Sequence, residues 1–205
     1  MKRATLVLGL AVLLCGVTGA HATAITYTVS ALASGSYQSQ SFTNALVTID
    51  FVSDTTTAHV HSGTPNTWMN TGSATITIEG LGTSPYDFGF VAFSEQGGPA
   101  HDCVAIPCFA GIGSGGPVGP TILGTDDSSF LTYDLTSATG PVTGPSEYTL
   151  NSDFGGLILT SVDGTSTFSA LTSSLPTGGT PEPGSLILLG TGVASLSGFA
   201  RRRFS

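Results

Sequence analysis

His59 and His61, one residue apart, head a short inventory of side chains in this chain that could do chemistry. On a β-strand both imidazoles would fall on one face. Asp54 lies close in sequence, and His101-Asp102 could join them in space. Two imidazoles and a carboxylate form a transition-metal donor set. The spacing matches no recognised zinc pattern, and exposed histidines are common in polar, turn-rich segments, so no resident metal is expected. Loop carboxylates at Asp126-Asp127, Asp153 and Asp163 offer oxygen ligands for Ca²⁺. They lack calcium-loop spacing, and aspartate is a favoured turn residue, so Ca²⁺ is only an alternative. Gly111–Gly116 spells G-x-G-x-x-G, but Pro117 and Pro120 follow at once. No helix can start there to present its N-terminus to a pyrophosphate, so the segment reads as a glycine-rich loop.

No nucleophile-elbow, zincin or phosphate-loop motif occurs. The expectation is therefore a protein that is not an enzyme. Two alternatives remain, each with its own signature. A secreted hydrolase needs two carboxylates converging in a pocket, one with a raised pKa. A carbohydrate-binding module needs a groove lined by Trp68, Tyr86 or other aromatics beside amides or acids.

Charge narrows the partners. Lys2, Arg3, Arg201, Arg202 and Arg203 are the only strong cations in 205 residues, and all thirteen acids lie between Asp50 and Glu182. Between Ala4 and Ala200 the chain carries about −13 and no Lys or Arg. Nucleic acid is excluded as a partner, because its binding depends on cations that neutralise phosphates. Anionic polymers and lipid surfaces would be repelled.

The N-terminus has the three parts of a secretory signal peptide: basic Met1-Lys2-Arg3, apolar Leu6–Val17, and small Ala20 and Ala22 for cleavage after Ala22. Cys15 follows two leucines and lacks the small preceding residue of a lipoprotein site. In the exported body only Cys103 and Cys108 remain, and an even pair in an oxidising compartment reads as a disulfide.

The positioning elements are expected to be strands. Ala24–Leu32, Leu46–Val52, Ala74–Glu79, Tyr86–Phe93, Ser129–Leu135, Gly156–Val162 and Thr165–Leu171 are rich in β-formers, several with period-two alternation. Turns are expected at Ser62–Asn66, Gly80–Pro85, Gly97–Pro99, Gly111–Pro120 and Thr139–Pro145, with a tight hairpin at Asp163-Gly164. Together they imply an all-β body at 23–176, an antiparallel β-sandwich or jelly roll. Thr-x-Thr recurs at Thr26, Thr75 and Thr165, but without the fixed period that an ice-binding sheet would show. Threonine simply favours strands.

The last 29 residues, 177–205, change character. A Gly/Pro linker leads to Pro181-Glu182-Pro183, then an apolar stretch at Gly184–Ala200, then Arg201, Arg202 and Arg203. The apolar stretch sits at the lower length limit for a transmembrane helix. The arginines would keep the tail on the cytoplasmic side. This tail resembles the PEP-CTERM sorting signal of Gram-negative bacteria, also known by the label ice-binding protein C-terminal domain. The resemblance covers about residues 180–205 and implies export through the secretion translocon and processing by an exosortase. It also implies an association with exopolysaccharide and biofilm. The expectation is an exported protein, first anchored in the inner membrane, then placed at the cell surface or in the matrix, where it is structural or adhesive. No cofactor is expected.

Overall fold

The structure, a computed structural model, describes residues 23–173 apart from 65, 87–88, 98–102, 104–106 and 115–118. The signal-peptide residues with Ala20 and Ala22, and the tail with Pro181, Glu182, Pro183, Arg201, Arg202 and Arg203, lie outside the described residues, as does His101-Asp102. Among the described residues no helix is long and apolar enough to cross a membrane.

The described chain is mostly antiparallel β-structure, as the alternation implies. Its strands are β1 (Ala24–Tyr37), β2 (Gln40–Asp54), β3 (His59–Val60), β4 (Thr67–Thr71), β5 (Ser73–Ile78), β6 (Gly82–Tyr86), β7 (Phe90–Gln96), β8 (Cys108–Ser114), β9 (Thr121–Asp126), β10 (Thr139–Tyr148) and β11 (Leu157–Ser173). They form one curled sheet in the order β3-β4-β7-β8-β9-β10-β11-β1-β2-β5-β6. Long strands β1, β2 and β11, with β5 and β6, make one half. Short strands β3, β4, β7, β8 and β9 make the other.

Two strand corners join the halves. Thr71 pairs with Val91 on β7, yet Ser73 pairs with Val52 on β2, so the chain changes partners across Gly72. A β-carbon on Gly72 would lie 2.1 Å from the Val52 carbonyl oxygen. In β10, Gly144 pairs with Ser166 on β11 while Ser146 pairs with Thr125 on β9. A β-carbon on Gly144 would lie 2.0 Å from the Asp126 carbonyl oxygen. Only glycine lets the backbone approach this closely at a strand that changes sheets.

One core lies inside the curl. Phe168 of β11 packs edge-on against Phe130 at 5.4 Å and Tyr133 at 5.9 Å, and lies 6.3 Å from Tyr27 of β1. Ala92, Ala110, Ile112 and Leu123 of the short-strand half complete the same apolar cluster. Burying a large apolar side chain contributes about 1.5–3 kcal/mol, which sets the scale of what holds the halves together.

Several local expectations are corrected. Ser129–Leu135 is not a strand: a 3-10 turn runs over Ser128–Thr132. Asp127 caps it by accepting from the Ser129 amide at 2.8 Å, and a three-residue spacing buries Phe130 and Tyr133. Asp163-Gly164 is not a hairpin either. The segment lies within β11, where Ala31 pairs with Ser166 but Ala33 pairs with Val162, so these residues bulge out opposite Leu32. β1 is long enough to pair on both sides of the bulge, so the chain never reverses. Thr139–Pro145 belongs to β10, and Gly111 and Gly113 belong to β8, because pairing on both sides recruits them into the sheet. The Gly80–Pro85 turn is shorter than expected, with β6 starting at Gly82.

Candidate functional site

The two histidines do not converge on a shared ligand. His59 lies on β3, and its Nδ1 sits 2.9 Å from the Thr57 carbonyl oxygen. His61 lies beyond the strand, with Nδ1 3.1 Å from Thr64 Oγ1 and accepting from the Gly63 amide at 3.2 Å. Asp54 is occupied locally as well: its Oδ1 accepts from the Thr56 amide at 2.7 Å and from Thr56 Oγ1 at 2.8 Å. Among the described residues no group of three or more His, Cys, Asp or Glu side chains is arranged to hold a metal ion.

Cys103 and Cys108 are joined as a disulfide with Cα atoms 5.1 Å apart. Cys108 is fully buried at the start of β8, so the bridge ties half-buried Cys103 to the core of the short-strand half.

The aromatic residues divide. Tyr86 is buried beside a cleft of about 610 Å³, whose wall it shares with Thr71, Ser73, Pro85 and Phe90. Its ring lies 4.4 Å from Phe90, and its hydroxyl donates to the Phe154 carbonyl. Trp68 is not on this wall; it is half-buried against the core. No acid or amide lines the cleft among the described residues. A smaller hollow of about 140 Å³ combines Tyr37, Gln38, Gln40, Thr83 and Ser84. There Gln38 Nε2 donates to the Tyr37 hydroxyl at 3.2 Å, and that hydroxyl is 2.8 Å from Ser84 Oγ.

Sequence reasoning missed an acidic row. Glu95 on β7 pairs with Phe109 on β8, which pairs with Asp126 on β9; Glu147 on β10 pairs with Gly124, two residues from Asp126. All three carboxylates therefore sit on one outer face. Burial, then repulsion from Glu147, raises Glu95; burial, then Asp126, raises Glu147; burial, then Asp127, raises Asp126. Asp127 is held below its usual range by the Ser129 amide and hydroxyl. None of these acids lines the 610 Å³ cleft or the 140 Å³ hollow. The residues are far apart in sequence, and only strand register brings them together.

A second missed cluster is polar and buried. Tyr27 donates to the Leu135 carbonyl at 2.5 Å and accepts from Asn70 Nδ2 at 2.8 Å. Asn70 Nδ2 also donates to the Asp54 carbonyl at 2.9 Å, and Asn70 Oδ1 accepts from Thr57 Oγ1. Burial pushes the Tyr27 hydroxyl up to about 12, against a smaller lowering by the Asn70 bond. These bonds tie β1 to β4 and to the segment after the 3-10 turn inside the core.

Body and tail define an exported β-protein class: a cation-free antiparallel domain followed by a sorting segment. Residues 180–203 match the family model described as the PEP-CTERM protein-sorting motif. The chain carries that motif, and the motif implies an exported protein handled by an exosortase-type enzyme. No curated protein and no solved structure matches the chain.

Proposed function

We propose that this chain is a structural or adhesive component of the cell surface or extracellular matrix, delivered by its tail and carrying no enzymatic activity. The observation that carries this reading is the sorting motif at residues 180–203. Residue chemistry supports each step. The signal peptide with Ala20 and Ala22 directs export through the translocon. Pro181 and Pro183 are residue types that disfavour helix, which suits a segment read by an enzyme. The apolar stretch Gly184–Ala200 holds that segment at the outer face of the inner membrane, and Arg201, Arg202 and Arg203 stop transfer. Processing then frees a body with no Lys or Arg between Thr23 and Thr180.

Mass spectrometry of the protein recovered outside producing cells, with and without the processing enzyme, tests this. The expected C-terminus lies near Pro181–Pro183 in normal cells, with the full tail retained in cells lacking the enzyme. An extracellular form ending in intact Arg201–Ser205 would overturn the sorting reading.

A further inference from the structure

The outer face of the long-strand half carries a hydroxyl row that no sequence repeat announces. Thr143 on β10 pairs with Thr167 on β11, which pairs with Ser30 on β1. Ser30 pairs with Thr48 on β2, Thr48 with Thr77 on β5, and Thr77 with Thr83 on β6. Six successive strands thus place a Ser or Thr at the same level, over about 24 Å at the usual strand spacing. At the two ends the hydroxyls bond in pairs, Thr143 with Thr167 and Thr77 with Thr83, both at 2.8 Å. Each hydroxyl offers one donor and two acceptor positions, so a paired one keeps capacity pointing outward.

The row ends at something different. Thr83 also lines the 140 Å³ hollow with Gln38, Gln40 and Tyr37. The row therefore ends at the sheet edge, where Thr83 borders a site with two side-chain amides, which both donate and accept. Apolar residues flank it: Leu32 pairs with Leu46 on one side, and Leu171, 68% exposed, lies across Thr26 from Val52 on the other. The next level holds Asp50, one of whose oxygens accepts from Thr28 at 2.6 Å.

We infer that this face binds an uncharged polyhydroxylated polymer, a neutral polysaccharide laid across the strands from Thr143 to the Gln38–Gln40 hollow. Charge selects this occupant. The face has no cation to hold an anionic polymer, and the body has none to offset its own acids. A second copy would bring Asp50 and the same net charge against themselves. A neutral sugar chain matches what the face displays: hydroxyls and amides for its hydroxyls, and methyl and leucine surfaces for its C–H faces. Each hydrogen bond adds only about 0.5–1.5 kcal/mol, so binding builds up with the number of strands crossed. The inference rests on the matrix reading above for its biological setting, and on register, charge and the neighbouring amides for its chemistry.

Affinity electrophoresis of the purified chain through gels containing hydroxyethylcellulose or dextran tests it, with alginate as the anionic polymer. Retardation is expected in at least one neutral gel, growing with polymer length, and not in alginate. Thr48→Val with Thr77→Val, which keeps shape and strand preference, should weaken retardation at least tenfold with little change in melting temperature. Gln40→Ala should weaken it several-fold, and Thr132→Val, away from the face, not at all. No retardation in either neutral gel would overturn the inference, as would undiminished retardation of the double variant. Faceting of ice crystals without retardation would overturn it in favour of a crystalline-water surface. The mass-spectrometric test reads sorting alone, so the two readings fail separately.

Discussion

The two halves of the curled sheet bury their strands differently. In the long-strand half, burial alternates: Ile25, Tyr27, Val29, Val47, Ile49 and Phe51 face the core, while Thr26, Thr28, Ser30 and Thr48 face outward and are half-buried. In the short-strand half, β7 is buried from Phe90 to Ser94, and β8 from Ala110 to Gly113, on both faces. One half is a conventional one-sided sheet with a polar exterior. The other is buried on both faces over β7 and β8 and carries Glu95 and Asp126 on its outer side. A surface for a ligand fits the first half better.

This contrast can be broken or sharpened in several ways. The largest effect is expected from Phe168→Ala, which empties a fully buried ring site touching Phe130, Tyr133 and Tyr27. A loss of about 3–5 kcal/mol is expected in urea unfolding. If the halves share one core, intrinsic fluorescence and circular dichroism will still report one coincident transition. Two separated transitions would show that the halves are independent.

Gly144→Ala probes a corner between them. With the new methyl 2.0 Å from the Asp126 carbonyl oxygen, backbone must move, at a cost of about 1–3 kcal/mol. Gly140→Ala, with open space around it, is the matched control and should change stability by less than about 1 kcal/mol. Equal effects of the two substitutions would remove the corner argument. Reduction of the Cys103–Cys108 bridge should cost about 2 kcal/mol or less, since the closed loop is short. Hydrogen exchange should then quicken in β8 before β1. Faster exchange in β1 first would contradict the disulfide's local role in the short-strand half.

The smallest effect concerns pH. Glu95, Asp126 and Glu147 have folded-state pKa values raised above their ordinary ones, so folding favours their protonated forms. Their contribution to stability is present below the unfolded pKa and is lost as pH rises through the folded one. Asp127, lowered, works in the opposite sense and limits the gain at acid pH. Glu147→Gln should therefore raise the melting temperature slightly at pH 7 and flatten its rise toward mildly acidic pH. An unchanged pH profile would show that the acidic row does not interact.

How much was legible in the sequence follows the same division. Ala24–Leu32, Leu46–Val52 and Ala74–Glu79 were readable as strands because one face is wet and the other dry, which writes a period of two into the residues. β8 and β9 were not, because a strand buried on both faces has no alternation to read. β8 was further disguised by Gly111 and Gly113, which resemble a loop until neighbouring strands pair with them. Asp163-Gly164 carried a true local turn preference, which the longer pairing of β1 converted into a bulge. Of the candidate site, the sorting tail was legible because its motif is contiguous. The acidic row and the hydroxyl row were not, because register assembles each from strands far apart in the chain.

The ends of the sheet have a consequence for how copies of this domain can meet. β3 has only two residues, and β6 has five, with Pro85 lacking an amide hydrogen to offer a neighbour. An incoming strand finds almost nothing to extend at either margin. Copies of this domain that crowd together therefore have little edge with which to template one another into fibres.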